Sequence, residues 1–185
     1  MANYPEPKPS AAGNQWEWTV NNVNGVREEE DMPPMDGLVG QMVITFIPPG
    51  GPGQKGFSNW QQMGNWALNL TNGRRDASPE IREKVAELTK GAPSTLAKMK
   101  AIGNFVQDNI RYLEIALGNG WQPHAAAEVF GHRYGDCKDK ANLMASMLHE
   151  IGVDSYYVYT NSVRGRVTSA TPPHRVFNHA ILPSK

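Results

Sequence analysis

With 185 residues, 18 basic against 18 acidic side chains and a formal net charge of zero, the chain can bury one good core plus part of a second unit, and it carries no electrostatic footprint for nucleic acid or an anionic membrane. No apolar run approaches the roughly 20 residues of a membrane span, and residues 1–13 lack the apolar stretch of a signal peptide, so a soluble chain without a leader is expected. The single cysteine, Cys137, excludes an internal disulfide framework.

Residues 4–10 alternate proline with polar side chains and predict an extended lead-in. Residues 15–20 and 40–47 have the aromatic and β-branched content of strands, joined by an acidic, proline-rich stretch over 27–36. Together they read as an incomplete β unit. The Pro-Pro-Gly-Gly-Pro-Gly run within 48–56 is the strongest boundary, dividing a partial β-rich segment with its linker (1–56) from a second unit (57–185).

Beyond the boundary the apolar period becomes helical, with Phe57, Trp60, Met63, Ala67 and Leu70 at steps of three and four. Ser78-Pro79 reads as N-cap and first helical position of a helix to about Lys90, with Ile81, Val85 and Leu88 on one face. Residues 95–109 predict another helix that presents Leu96, Met99, Ile102, Phe105 and Val106, and residues 111–117 look extended. A further helix starts at Cys137 and runs to about Ile151, packing Ala141, Met144, Leu148 and Ile151, with Gly152 as its stop. Strands are expected over 154–161 and 176–182. The five tryptophans, Trp16, Trp18, Trp60, Trp66 and Trp121, read as core filling more readily than as a substrate groove.

Chemistry concentrates at Cys137. Asp136 can cap the helix and Asp139, three positions on, can reach back as the acidic half of a capping box, which puts the thiol at the first helical position. Unpaired N–H groups and the positive dipole end there favour thiolate over thiol, whereas an inert buried cysteine is the plain alternative. Lys138, Asp139 and Lys140 read on composition as a solvated first turn. A thiol acyl-transfer site also needs an imidazole. His149 is about 18 Å further along the same helix at 1.5 Å per residue, too distant to serve. His124, His132 and His174 are not excluded by spacing. Strand alternation places Phe177, His179 and Ile181 on one face, so His179 is expected to face a core on a strand that can pack under the Cys137 helix. For an oxyanion, the backbone N–H of Cys137 is one donor and Gln122 or Trp121 the second. A metal reading, with His124, His132 and Cys137 as ligands, matches none of the usual paired-ligand spacings.

Three stretches carry a family resemblance: Gln122-Pro123-His124, the run from Arg133 through Tyr134-Gly135-Asp136-Cys137-Lys138-Asp139 to Lys140, and Phe177-Asn178-His179-Ala180-Ile181. They resemble the core of bacterial transglutaminase-like proteins, which belong to the papain-like thiol enzymes. The likeness runs from about Ile81 to Leu182, and Trp16 to Trp66 resembles, less specifically, the end of a β-rich domain that precedes such cores. The resemblance implies an α+β fold in which the Cys137 helix packs on antiparallel strands, with Cys137 as nucleophile and His179 as base. It implies no cofactor and no metal, a peptide or protein as substrate, and export to the bacterial periplasm or beyond.

The family supplies its third catalytic residue, an Asp, on the strand after the histidine strand, and this chain ends six residues past His179. A core truncated at its C-terminus, with little turnover and with self-association through an exposed strand edge, is therefore expected. Thiol-dependent hydrolysis or acyl transfer at an amide is the leading reading. A non-catalytic peptide- or protein-binding module on the same fold is the alternative.

Overall fold

The computed structural model describes residues 10–12, 15–40, 42–44, 56–114, 120–162, 169, 173 and 177–184. In the N-terminal stretch β1 (Ser10–Ala12) pairs antiparallel with β2 (Gln15–Glu17), and α1 (Met35–Leu38) is a single turn. The strand expected over 15–20 thus stops at Glu17. Residues 42–44 belong to no strand, and the rest of the expected strand there, Gly40 apart, lies outside the described residues. All but Gly56 of the expected linker lies outside them too.

The helices that follow begin at side-chain caps, which satisfy amide groups that have no acceptor within the helix. Asn59 accepts from Gln62 N at 2.9 Å to open α2 (Trp60–Asn69). Ser78 caps α3 (Pro79–Thr89) through Ile81 N at 3.4 Å, and Ser94 caps α4 (Thr95–Asn109) through Ala97 N at 3.2 Å. Helix α5 (Ala126–His132) begins where the Glu128 carboxylate accepts from Ala125 N, and it ends at Arg133, which takes a left-handed conformation with φ of 62°. Helix α6 spans Cys137–His149 and turns out at Gly152, whose φ of 73° suits glycine.

The core joins these helices. Ile81 and Val85 of α3 meet Ile102, Phe105 and Val106 of α4, Val129 and Phe130 of α5, and Leu143, Met147 and Leu148 of α6. Each fully buried Ile or Leu among them contributes about 1.5–3 kcal/mol. Helix α6 is the hub, packed against α3, α4, α5 and a C-terminal strand pair. This corrects the single stripe expected for it. Met144 and Ile151 are only partly buried, whereas Asn142, Leu143, Ser146 and Met147 are almost wholly so. A helix enclosed by neighbours on several sides needs small or apolar residues around most of its circumference. Leu96 likewise leaves the stripe expected of α4, being 59% exposed.

Two short sheets flank α6. Strand β3 (Arg111–Tyr112) runs parallel to β4 (Tyr134–Gly135), and β5 (Val158–Thr160) antiparallel to β6 (His179–Ile181). An isolated bridge from Ser155 to Ser184 extends the second pair. Helices gathered against small separate sheets make an α+β arrangement.

Candidate active site

The start of α6 is built by the turn that leads into it. Arg111 N donates to Arg133 O at 2.8 Å and Leu113 N to Gly135 O at 3.0 Å, so β3 lies alongside the turn. Gly135 is buried against α6, and a Cβ there would stand 2.6 Å from the Asp139 Cβ. Asp136 Oδ1 accepts from Lys138 N at 3.1 Å and Asp139 N at 3.3 Å, while Asp139 Oδ2 accepts from Asp136 N at 3.2 Å. The reciprocal bonds fix Cys137 at the first helical position, half-buried. Its amide, like others in a first turn, has no acceptor inside the helix.

The first turn is not a solvated face, and this corrects the composition-based expectation. Lys138 is 7% exposed and paired with Asp136, and Lys140 Nζ donates to Ile110 O at 2.6 Å. Asp139, 3% exposed, also accepts from His124 N at 2.8 Å and meets the His124 Nδ1 at 3.1 Å. Asn142 Nδ2 donates to Arg74 O at 2.7 Å and His124 O at 3.0 Å. Two buried side chains of α6 thereby hold His124 and the backbone of Arg74 against the start of the helix.

Tyrosines lie near Cys137. Tyr112 stands directly across from Gly135 in the ladder. Burial, then the Cys137 and Glu114 charges, hold its phenol above the ordinary tyrosine range. Tyr159 is pushed up by burial first and by the Cys137 charge second, with Arg75 pulling the other way. Tyr157, raised strongly by burial, donates to Lys138 O at 2.7 Å and stacks on Tyr159 with ring centroids 6.0 Å apart. From Tyr159 the rings continue through Trp121 at 5.4 Å to Trp66 and through Phe177 at 6.4 Å to Trp60. Three of the five tryptophans thus form a wall beside the thiol. Trp18 stands apart in the N-terminal stretch, 38% exposed.

His179 begins β6, opposite Thr160, and is half-buried. The expectation that Phe177, His179 and Ile181 face the core is corrected at Ile181. Ala180 is buried and Leu182 packs on the core, while Ile181 is 47% exposed. Across the two strands Ala180 pairs with Tyr159 and His179 with Thr160. Alternation is visible in a sequence, but which phase meets the core is not. Strand β6 itself packs on α6, and among the described residues no hydrogen bond joins the imidazole to the Cys137 sulfur.

The other histidines are held elsewhere. His124 pairs with Asp139, His132 stacks on Tyr134 at 5.8 Å, and His149 closes the far end of α6, while His174 lies outside the described residues. Assigned from its neighbours, the Gln122 amide turns its oxygen to accept from Arg74 Nε at 3.2 Å and Nη2 at 3.3 Å. Tyr112, Tyr157, Tyr159 and Arg75 are additions that reading the sequence missed. The period-two pair of tyrosines was a usable signal, whereas nothing local marks Arg75.

The chain is similar to two solved structures. One, from Parabacteroides distasonis and described as a candidate protease, superposes with a TM-score of 0.54 at 18% identity, covering 65% of this chain and 24% of that one. Another, a candidate cysteine protease from Cytophaga hutchinsonii, gives a TM-score of 0.45 at 17% identity, covering 69% and 41%. This chain therefore spans less than half of either. No curated protein matches it in sequence. The fold is of the papain and transglutaminase-like type. Residues 82–180 match the transglutaminase-like superfamily, and the chain belongs to that family.

Proposed function

We propose that this unit cleaves an amide in a peptide or protein by thiol chemistry, with Cys137 as nucleophile and His179 as base. The observation that carries the reading is the half-buried Cys137 sulfur fixed at the first position of α6 by the Asp136 and Asp139 box. The sulfur attacks the carbonyl carbon, a C–S bond forms and the thiol proton passes to the imidazole. The imidazolium then protonates the leaving nitrogen as the C–N bond breaks, and water releases the acyl group from sulfur. The Cys137 amide supplies one donor to the oxyanion. Because Arg74 occupies the Gln122 oxygen, the Gln122 nitrogen is the end left to donate a second. Release to water rather than to an amine fits a sulfur that is not sealed from solvent. The unit doing this is taken as residues 57–185, with 1–56 a separate β-rich segment.

Hydrolysis of a peptide library by the wild type, by Cys137→Ala and by His179→Gln, with and without added amine, tests the reading. Cys137→Ala should abolish turnover, and His179→Gln should lower it by about 10²–10⁴-fold, the usual worth of a positioned base. Unchanged hydrolysis in both variants would overturn it. A second reading, a peptide-binding module, draws on the aromatic wall beside the thiol. Peptide binding that Cys137→Ala leaves intact, with no turnover in the wild type, would favour that module.

A further inference from the structure

We infer that Arg75 and Tyr159 form a carboxylate-binding subsite next to Cys137, so that the preferred substrate carries a carboxylate close to the amide under attack. The inference rests on Cys137 as the reacting thiol and deepens that reading by naming a substrate class. Three polar atoms carry it. Arg75 Nε and Nη2 and the Tyr159 hydroxyl are buried and have no hydrogen-bond partner among the described residues. A guanidinium is always charged and donates only, and each donor left unpaired inside a protein costs about 1–3 kcal/mol. Orphaned donors of this kind in one neighbourhood fit an acceptor that arrives with the ligand.

The neighbourhood is the thiol's. The Arg75 guanidinium lies 4.7 Å above the Tyr157 ring, and Tyr157 is tied through its hydroxyl to Lys138 O in the first turn of α6, one residue from Cys137. Tyr159 stacks on Tyr157 and lies within the influence of both the Arg75 and the Cys137 charges. Stacking on Tyr157 occupies the face of the guanidinium and not its Nε–Nη2 edge, the edge through which arginine binds carboxylates by two parallel bonds. Arg75 and Tyr159 are both half-buried, so these groups lie just beneath the surface rather than deep in the core. The negative charges near the thiol, Asp136 and Asp139, are already engaged by Lys138, by His124 and by the amides of the capping box. No acidic side chain on the described residues is paired with Arg75.

The single cysteine makes a direct test available without any turnover. Iodoacetate and iodoacetamide alkylate the same sulfur and differ in a carboxylate against a neutral amide. Their rate ratio on the folded wild type should exceed that on the urea-unfolded chain by about tenfold, the worth of roughly one charge-assisted contact. Arg75→Met should return the ratio to the unfolded value, and Arg75→Lys, which keeps the charge and loses the fork, should retain part of it. A wild-type ratio equal to that of the unfolded chain, or a raised ratio that Arg75→Lys and Arg75→Met leave unaltered, overturns the subsite. The carboxylate source is read on Cys137→Ala through tryptophan fluorescence, with N-acetyl-Gly-Ala for a chain terminus, N-acetyl-Asp-amide for a side chain and N-acetyl-Gly-Ala-amide as the neutral reference. Tighter binding of either acid than of the amide supports the subsite, and equal binding of all three overturns it. Loss of hydrolysis by the wild type, with the ratio intact, would sink the catalytic reading alone.

Discussion

Two regions of this protein are rich in apolar residues, and only one of them makes a core. Between residues 77 and 153 the apolar side chains of α3, α4, α5 and α6 converge in a single buried cluster. Between 18 and 44, Trp18, Val20, Val23, Val26, Met35, Met42 and Ile44 are each more than a third exposed. Hydrophobic content therefore does not separate the regions; presentation does. The helical region repeats its apolar residues at the helical period and opens α3 and α4 with a serine cap, so whole faces meet. The N-terminal region offers a hairpin of three-residue strands and one helical turn, and of its exposed apolar groups only Met35 falls within them.

The comparison breaks most easily at the centre of α6. Leu143→Ala, at a position with no exposed surface, should cost about 2–5 kcal/mol in chemical denaturation, the range for a truncated buried leucine. A loss near zero would mean that α6 is not the hub of the core. Next comes Gly135→Ala, whose methyl group would collide with Asp139 at 2.6 Å. It should cost about 1–3 kcal/mol, in line with other overpacked sites, and should change the rate at which Cys137 is alkylated. An unaltered rate would show that the turn can shift without moving the thiol.

Tyr157→Phe removes the bond to Lys138 O and should cost about 1 kcal/mol at neutral pH. It also tests a pH dependence. Burial raises the Tyr157 phenol above its value of 10.0 in the unfolded chain, so the folded state keeps a proton that the unfolded state has lost. Its contribution is complete below pH 10.0 and declines as the pH rises beyond it. Wild-type stability should fall above that pH more steeply than that of Tyr157→Phe, and parallel profiles would assign the alkaline loss to other groups. Smallest of all, Ile44→Ala, at a side chain 65% exposed, should alter stability by no more than about 0.5 kcal/mol. A larger loss would mean that the N-terminal stretch is packed more firmly than its exposure indicates.

The sequence by itself determined what is settled within a few residues. Ser78, Ser94 and Asp136 each cap the helix that follows, because a cap needs only its own side chain and amides two or three positions on. The place of Cys137 at the head of α6 was legible for that reason, as were α3, α4 and the antiparallel pairing of the last two strands. Tertiary structure alone decided what surrounds the thiol. Asn142 meets Arg74 across 68 positions, and His124 meets Asp139 across 15. Tyr112 is brought opposite Gly135, two residues before Cys137, by a parallel ladder that no local pattern announces. The same holds for the face of β6. Alternation separates Ile181 from Ala180 and Leu182, but that Ala180 is buried opposite Tyr159 while Ile181 is exposed was settled by the neighbouring strand and by α6, on which β6 packs.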